Sequence, residues 1–189
     1  MAENRGKKFE TVVKEAFEKV EGVSIDRLHD QTTGYLGSAN ICDFIVYKKP
    51  YEYYIECKTI HGNTLPLGNI TNRQWSGLIE KSQIDGVKAG VLVWFVDKDI
   101  TMFVPIQTSQ AIEKAGFKSV HYTLSAGVVH LTGKKKRVFF EYDMETFFRV
   151  MEWKGNVEVS KEDIINELQD KYRTIKGNNG NKIEGGGTR

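Results

Sequence analysis

Apolar residues Phe9, Val12, Val13, Ala16, Phe17 and Val20 recur at i, i+3 and i+4 spacing, so Lys7–Val20 predicts an amphipathic helix ended by Gly22. Glu10 sits at the margin of that stripe, one turn from Val13, where it can line the boundary between core and solvent. Val23–Leu28 predicts a short strand. Two runs rich in β-branched and aromatic residues follow, Ile41–Tyr47 and Glu52–Thr59, separated by Lys48-Lys49-Pro50-Tyr51; they read as a β-hairpin with a four-residue loop. A helix is expected from about Thr71 to Ile84, with Trp75, Leu78 and Ile79 inward and Thr71 or Asn69 as cap. Ala89–Val96 is apolar without interruption and predicts a strand buried on both faces. Asp97-Lys98-Asp99 then turns the chain into a strand over Ile100–Val104, which Pro105 stops.

Farther on, the pattern predicts a helix near Thr108–Ala115 and a hairpin of Val128–Thr132 with Arg137–Tyr142. Helices follow over Asp143–Trp153 and from about Ser160 to Lys176, the last opened by a Ser160–Asp163 capping box. Gly177–Arg189, rich in glycine and asparagine, is expected to be disordered. The order of elements implies an α/β fold, a mixed β-sheet flanked by helices in one domain over residues 1–155. Residues 156–176 would form a C-terminal helix on or near the core, and 177–189 a tail.

The hairpin carries the candidate chemistry. If Tyr47 faces Glu52 across the turn, Asp43 falls opposite Glu56, and alternation places Glu56, Lys58 and Asp43 on one face. Opposed like charges on neighbouring strands repel, and a divalent cation between the carboxylates would turn that repulsion into coordination. The same register sets Cys42 against Cys57 on the other face, as two small buried thiols rather than a disulfide. His29–Asn40 is a polar, glycine-rich loop leading into the acidic strand, and loops of this kind often touch ligands. Arg27, His29 and Thr33 lie where a phosphate clamp would be useful, Arg27 foremost, and Tyr35 could stack on an exposed base.

The 189 residues fit one domain, with 28% charged and 40% hydrophobic residues, as in ordinary globular proteins. A net charge of +2 permits a polyanionic partner without demanding one. Local basic clusters at Lys7-Lys8, Lys48-Lys49 and Lys134–Arg137 suit backbone contacts. The longest apolar run, Ala89–Val96, is far too short to span a bilayer and nothing resembles a signal peptide, so a cytoplasmic location is expected. No histidine stands at zinc spacing from the cysteines, and no phosphate-binding glycine loop is present.

Asp43, twelve residues, then Glu56-Cys57-Lys58 resembles the D…E-x-K core of the PD-(D/E)xK nuclease superfamily. Asn4-Arg5-Gly6 followed by Glu10, Phe44 after the aspartate, Pro66-Leu67 with Asn69-Ile70, and Gln74 resemble the RecU-type Holliday-junction resolvases over roughly Asn4–Pro105. The resemblance implies a restriction-endonuclease-like fold and a homodimer nicking four-way DNA junctions with Mg²⁺, for which Mn²⁺ would substitute. It implies Asp43, Glu56 and the Cys57 carbonyl as metal ligands, Lys58 and Glu10 as catalytic partners, and Gln74 facing the site. Arg5, Lys7, Arg27, Thr33, Tyr35 and Gln74 become the expected DNA contacts, with recombination proteins as further partners. RecU-type proteins carry a DNA-contacting stalk where this chain has only the short loop at 29–40. A restriction- or flap-type PD-(D/E)xK nuclease and a non-catalytic DNA-binding recombination module are the competing readings.

Overall fold

The structure, a computed structural model, describes residues 5–28, 40–155 and 160–180. Its centre is a six-stranded mixed sheet between two helical layers. The strands are β1 (Val23–Arg27), β2 (Phe44–Lys48), β3 (Tyr51–Ile60), β5 (Val87–Phe95), β6 (Ile100–Pro105) and β8 (Val129–His130), in that spatial order. Only β3 and β5 run parallel; the other neighbours are antiparallel. A parallel pair needs a crossover, here supplied by β4 (Thr64–Pro66) and helix α2 (Asn72–Ser82).

Alternation along the strands feeds two cores. Phe44, Val46, Tyr53, Ile55, Cys57, Leu92, Trp94 and Phe103 face α1 (Arg5–Glu18) and α4 (Met144–Gly155). Tyr54, Val91, Val93, Met102 and Val104 face α2, α3 (Ile106–Lys114) and α5 (Lys161–Gly180). As its uninterrupted apolar run predicts, β5 is buried on both sides. Helix α5 contributes Ile164 and Leu168 to the second core. It runs to Gly180, four residues beyond the expected end at Lys176; residues 181–189 of the expected tail lie outside the described residues. None of the described helices is long and apolar enough to cross a membrane.

Several sequence expectations need correction. The hairpin loop between β2 and β3 is two residues, because Lys48 already pairs with Tyr51. The later hairpin is β9 (Gly133–Lys135) with β10 (Phe140–Tyr142), whereas Val129–His130 leaves it to extend the main sheet beside β6. The sequence pattern does not predict the small sheet of β4 and β7 (Ser119–His121), because each strand is three residues long and its partner lies far along the chain. The cysteines do not face one another. Cys42 joins the core under α2, Cys57 the core under α1, and both are free thiols. Burial pushes the Cys42 thiol up to about 12, with Glu56 and Asp43 adding to the rise.

Candidate active site

The expected register, Tyr47 opposite Glu52, is observed, but the ladder ends at Phe44 opposite Ile55. One residue earlier the chain bends. The Asp43 amide donates to the Ile55 carbonyl at 3.1 Å, and Asp43 Oδ2 accepts the Cys57 amide at 2.7 Å. The Asp43 carbonyl in turn accepts the Leu28 amide at 2.9 Å, tying the aspartate to the end of β1. Asp43 is thus held between strands by its backbone and by its own side chain.

Glu56 is the centre of the cluster and only 3% exposed. Its Oε1 is 2.7 Å from Lys58 Nζ and accepts from Gln74 Nε2 at 2.6 Å. Its Oε2 is buried with no hydrogen-bond partner. Burial first, and then the Asp43 charge, raises the Glu56 carboxyl to about 7, while Lys58 and Gln74 pull it back. Near neutrality this carboxyl is therefore poised between its two protonation states.

Gln74 owes its place to the start of α2. Thr71 Oγ1 accepts the Gln74 amide at 3.3 Å, and Gln74 Oε1 accepts the Thr71 amide at 3.0 Å, a reciprocal capping box. The same amide group reaches Glu56 through Nε2, and Lys58 Nζ lies 3.5 Å from its Oε1. The cap that starts the helix therefore also fixes the Glu56 rotamer. Gly77, one turn on, lets the helix come this close: a Cβ there would sit 2.4 Å from Ile41 Cγ2 and 2.7 Å from Ile41 Cβ. A lone glycine inside an amphipathic helix pattern signals such an approach. Gly77→Ala is expected to cost about 1–3 kcal/mol by overpacking, lower the melting temperature by several degrees, and weaken any activity of the cluster by lifting Gln74. Thermal melts and activity assays on the pair of proteins check both effects.

The remaining sequence candidates fall around this cluster. Glu10, on α1, forms an ion pair with Arg27 at the end of β1, and its charge is felt at Cys57. Arg5 lies at the start of α1, with Nη1 3.2 Å from His61 Nε2. Lys7 is on the exposed side of the same helix. Thr33 and Tyr35, like His29, lie outside the described residues. The basic run 134–137 lies at the tip of the β9–β10 hairpin, with Lys135 paired to Asp99 and Lys136 2.9 Å from Glu141. Asp43, Glu56, Cys57, Lys58 and Gln74 come together; Glu10 and Arg27 pair with each other.

Among the described residues, no group of three or more His, Cys, Asp or Glu side chains is placed to hold a metal ion. The donors at this cluster are two carboxylates and peptide oxygens, a set that suits Mg²⁺, which keeps several waters and takes few protein ligands. An unpartnered buried carboxylate oxygen next to a second carboxylate is the local feature that fits a hard dication.

No protein-family model and no curated protein matches the sequence. Among solved structures, the chain is similar to Archaeoglobus fulgidus Hjc, a Holliday junction resolvase from an archaeal hyperthermophile, with 20% identity and a TM-score of 0.41 over 56% of this chain and 75% of that one.

Proposed function

We propose that this protein is a Mg²⁺-dependent endonuclease that hydrolyses phosphodiesters in branched DNA, with four-way junctions as the preferred substrate. One observation carries the reading: the buried Glu56 Oε2 without a partner, beside Asp43, while Oε1 is held by Lys58 and Gln74. A buried carboxylate oxygen left without a partner costs stability, and a cation bound between it and Asp43 would offset that cost. Asp43, Glu56 and the Cys57 carbonyl would hold the ion, and Mn²⁺ would substitute. When bound, such an ion polarises a phosphoryl oxygen and lowers the pKa of a coordinated water.

The protein's own groups do the rest. Gln74 holds the Glu56 carboxylate in one orientation, so its second oxygen has a fixed direction. The Lys58 ammonium, on the same face and 2.7 Å from Glu56, is placed to orient the attacking water or to stabilise the charge gathering on the phosphate. In the reaction the water oxygen bonds to phosphorus, one ester P–O bond breaks, and the departing oxygen leaves protonated. Glu10 is the acid from the first helix that would complete the site, its partner Arg27 would contact DNA, and so would Arg5 and Lys7. A four-way junction needs two symmetric nicks, so this substrate implies a homodimer.

The test offers labelled four-way junctions, flaps and linear duplex with Mg²⁺ to the wild type and to Asp43→Ala. Symmetric nicking of junctions, lost at least a hundredfold in the variant, is the expected result. Cleavage of plain duplex at fixed sequences would instead assign a restriction-type nuclease. Tight binding without scission under any divalent ion would assign a non-catalytic DNA-binding module.

A further inference from the structure

Beyond the acidic cluster, the C-terminal end of β3 carries a second group of charged side chains. The Asp97 carboxylate accepts twice, from His61 Nδ1 at 2.8 Å through Oδ1 and from the Gly62 amide at 2.7 Å through Oδ2. A carboxylate can only accept, so Nδ1 carries the proton, and the opposite nitrogen of a neutral ring is bare. That nitrogen, Nε2, is 3.2 Å from Arg5 Nη1, which donates to it. The hydrogen bond from His61 and that from Gly62 hold the Asp97 carboxyl below its ordinary range, with Lys98 adding to the effect.

These contacts hold both nitrogen edges of the His61 ring. Asp97 Oδ1 accepts from Nδ1 and sets the orientation of the ring. Arg5 stands at the opposite edge, its Nη1 aimed at Nε2. An oxyanion placed between Arg5 and His61 would accept from the guanidinium and from the ring, once Nε2 carries a proton, while Asp97 keeps the ring aimed at it. Among the described residues of this cluster, Arg5 and Lys98 outweigh Asp97, so it is cationic with a neutral ring. His61 lies three residues after Lys58, roughly 10 Å of chain at a strand's rise, so an anion here would be a near neighbour of one at Lys58.

We infer that His61, oriented by Asp97, forms with Arg5 a second phosphate site that grips a DNA backbone phosphate flanking the one to be cut. The inference rests on the nuclease reading and adds to it a positioning role for His61 and Asp97. Asp97 gives the most discriminating test. On a merely basic surface, removing an acid strengthens DNA binding; here Asp97→Asn removes the charge behind the ring and one of the two acceptor oxygens that hold His61 and Gly62, and is expected to weaken it.

The experiment is fluorescence anisotropy of the full chain with labelled junction and duplex, Ca²⁺ replacing Mg²⁺, over a series of salt concentrations. His61→Ala is expected to weaken binding about tenfold and reduce the slope of log K against log salt by about one phosphate contact. Asp97→Asn should weaken binding several-fold, and His61→Lys, which keeps a cation at the position, should restore most of what His61→Ala loses. Wild-type affinity and slope in His61→Ala, or tighter binding by Asp97→Asn, would overturn the second site while leaving the nuclease reading intact. If the wild type binds no form of DNA, both fail together.

Discussion

Glu56→Gln is expected to abolish cleavage and, in the metal-free protein at pH 8, to raise the melting temperature by several degrees. The wild-type carboxyl is raised from an ordinary 4.5 to about 7 by burial and by Asp43. A raised acid contributes stability that is fully present below its unfolded value and lost as pH rises toward the folded one. The metal-free wild type therefore loses on the order of a few kcal/mol between about pH 4.5 and 7. The amide carries no charge to desolvate or to set against Asp43, so this loss disappears. Its oxygen can still accept from Lys58 and Gln74, and its N–H₂ would stand where the unpartnered Oε2 now is. Each kcal/mol moves the melting temperature of a chain this size by about 2–4 °C. Melts at pH 5 and pH 8, with and without Mg²⁺, give the full pattern. The two proteins should be nearly alike at pH 5, the variant higher at pH 8, and only the wild type should respond to the ion. A variant that melts lower at pH 8 than the wild type would show that Glu56 is a structural acid, and the metal reading would lose its main support.

The parts of this arrangement that sequence reveals are those set by short-range rules. The turn between β2 and β3 fixes which residues oppose each other, so the meeting of Asp43, Glu56 and Lys58 follows from alternation once Tyr47 is set against Glu52. The Thr71–Gln74 cap is written in four consecutive residues, and the burial of β5 in the eight-residue apolar run Ala89–Val96. What alternation misses is the bend at residues 41–43. Extending the ladder through it placed Cys42 across from Cys57, whereas the Asp43 carboxylate captures the Cys57 amide and sends Cys42 to the other core. Parallel pairing is equally hidden. His61 and Asp97 stand 36 residues apart and meet because each follows one of two adjacent parallel strands, Ile60 beside Phe95. No periodicity in either segment announces that contact. The same holds for Gly77: its place in the helix pattern is visible, but Ile41 as the side chain filling the space is not.

Lys58→Met is expected to abolish cleavage as completely as Glu56→Gln while moving metal-free stability in the opposite direction. Lys58 is the strongest of the influences holding the Glu56 carboxyl down, through its hydrogen bond and its charge, and Gln74 is the next. Without the ammonium the carboxyl is raised further, and the window over which stability is lost extends above pH 7 instead of closing there. At pH 8 the folded protein then either keeps a protonated Glu56 or holds a buried charge opposed only by Gln74. Removing one partner of a buried pair commonly costs about 3–5 kcal/mol, and the partial exposure of the Lys58 side chain, 21%, argues for the lower end. At pH 5 the carboxyl is already neutral, and methionine fills much of the same volume, so the difference from wild type should be small. Metal affinity should fall as well, because a bound dication must displace the Glu56 proton, which the variant holds more tightly. Melts across pH 5–9 and titration with Mn²⁺ test the two statements separately. A uniform drop in melting temperature at every pH would mean that Lys58 acts through packing alone. A drop confined to the alkaline side identifies its charge as the counterweight that lets a buried carboxylate ionise at neutral pH.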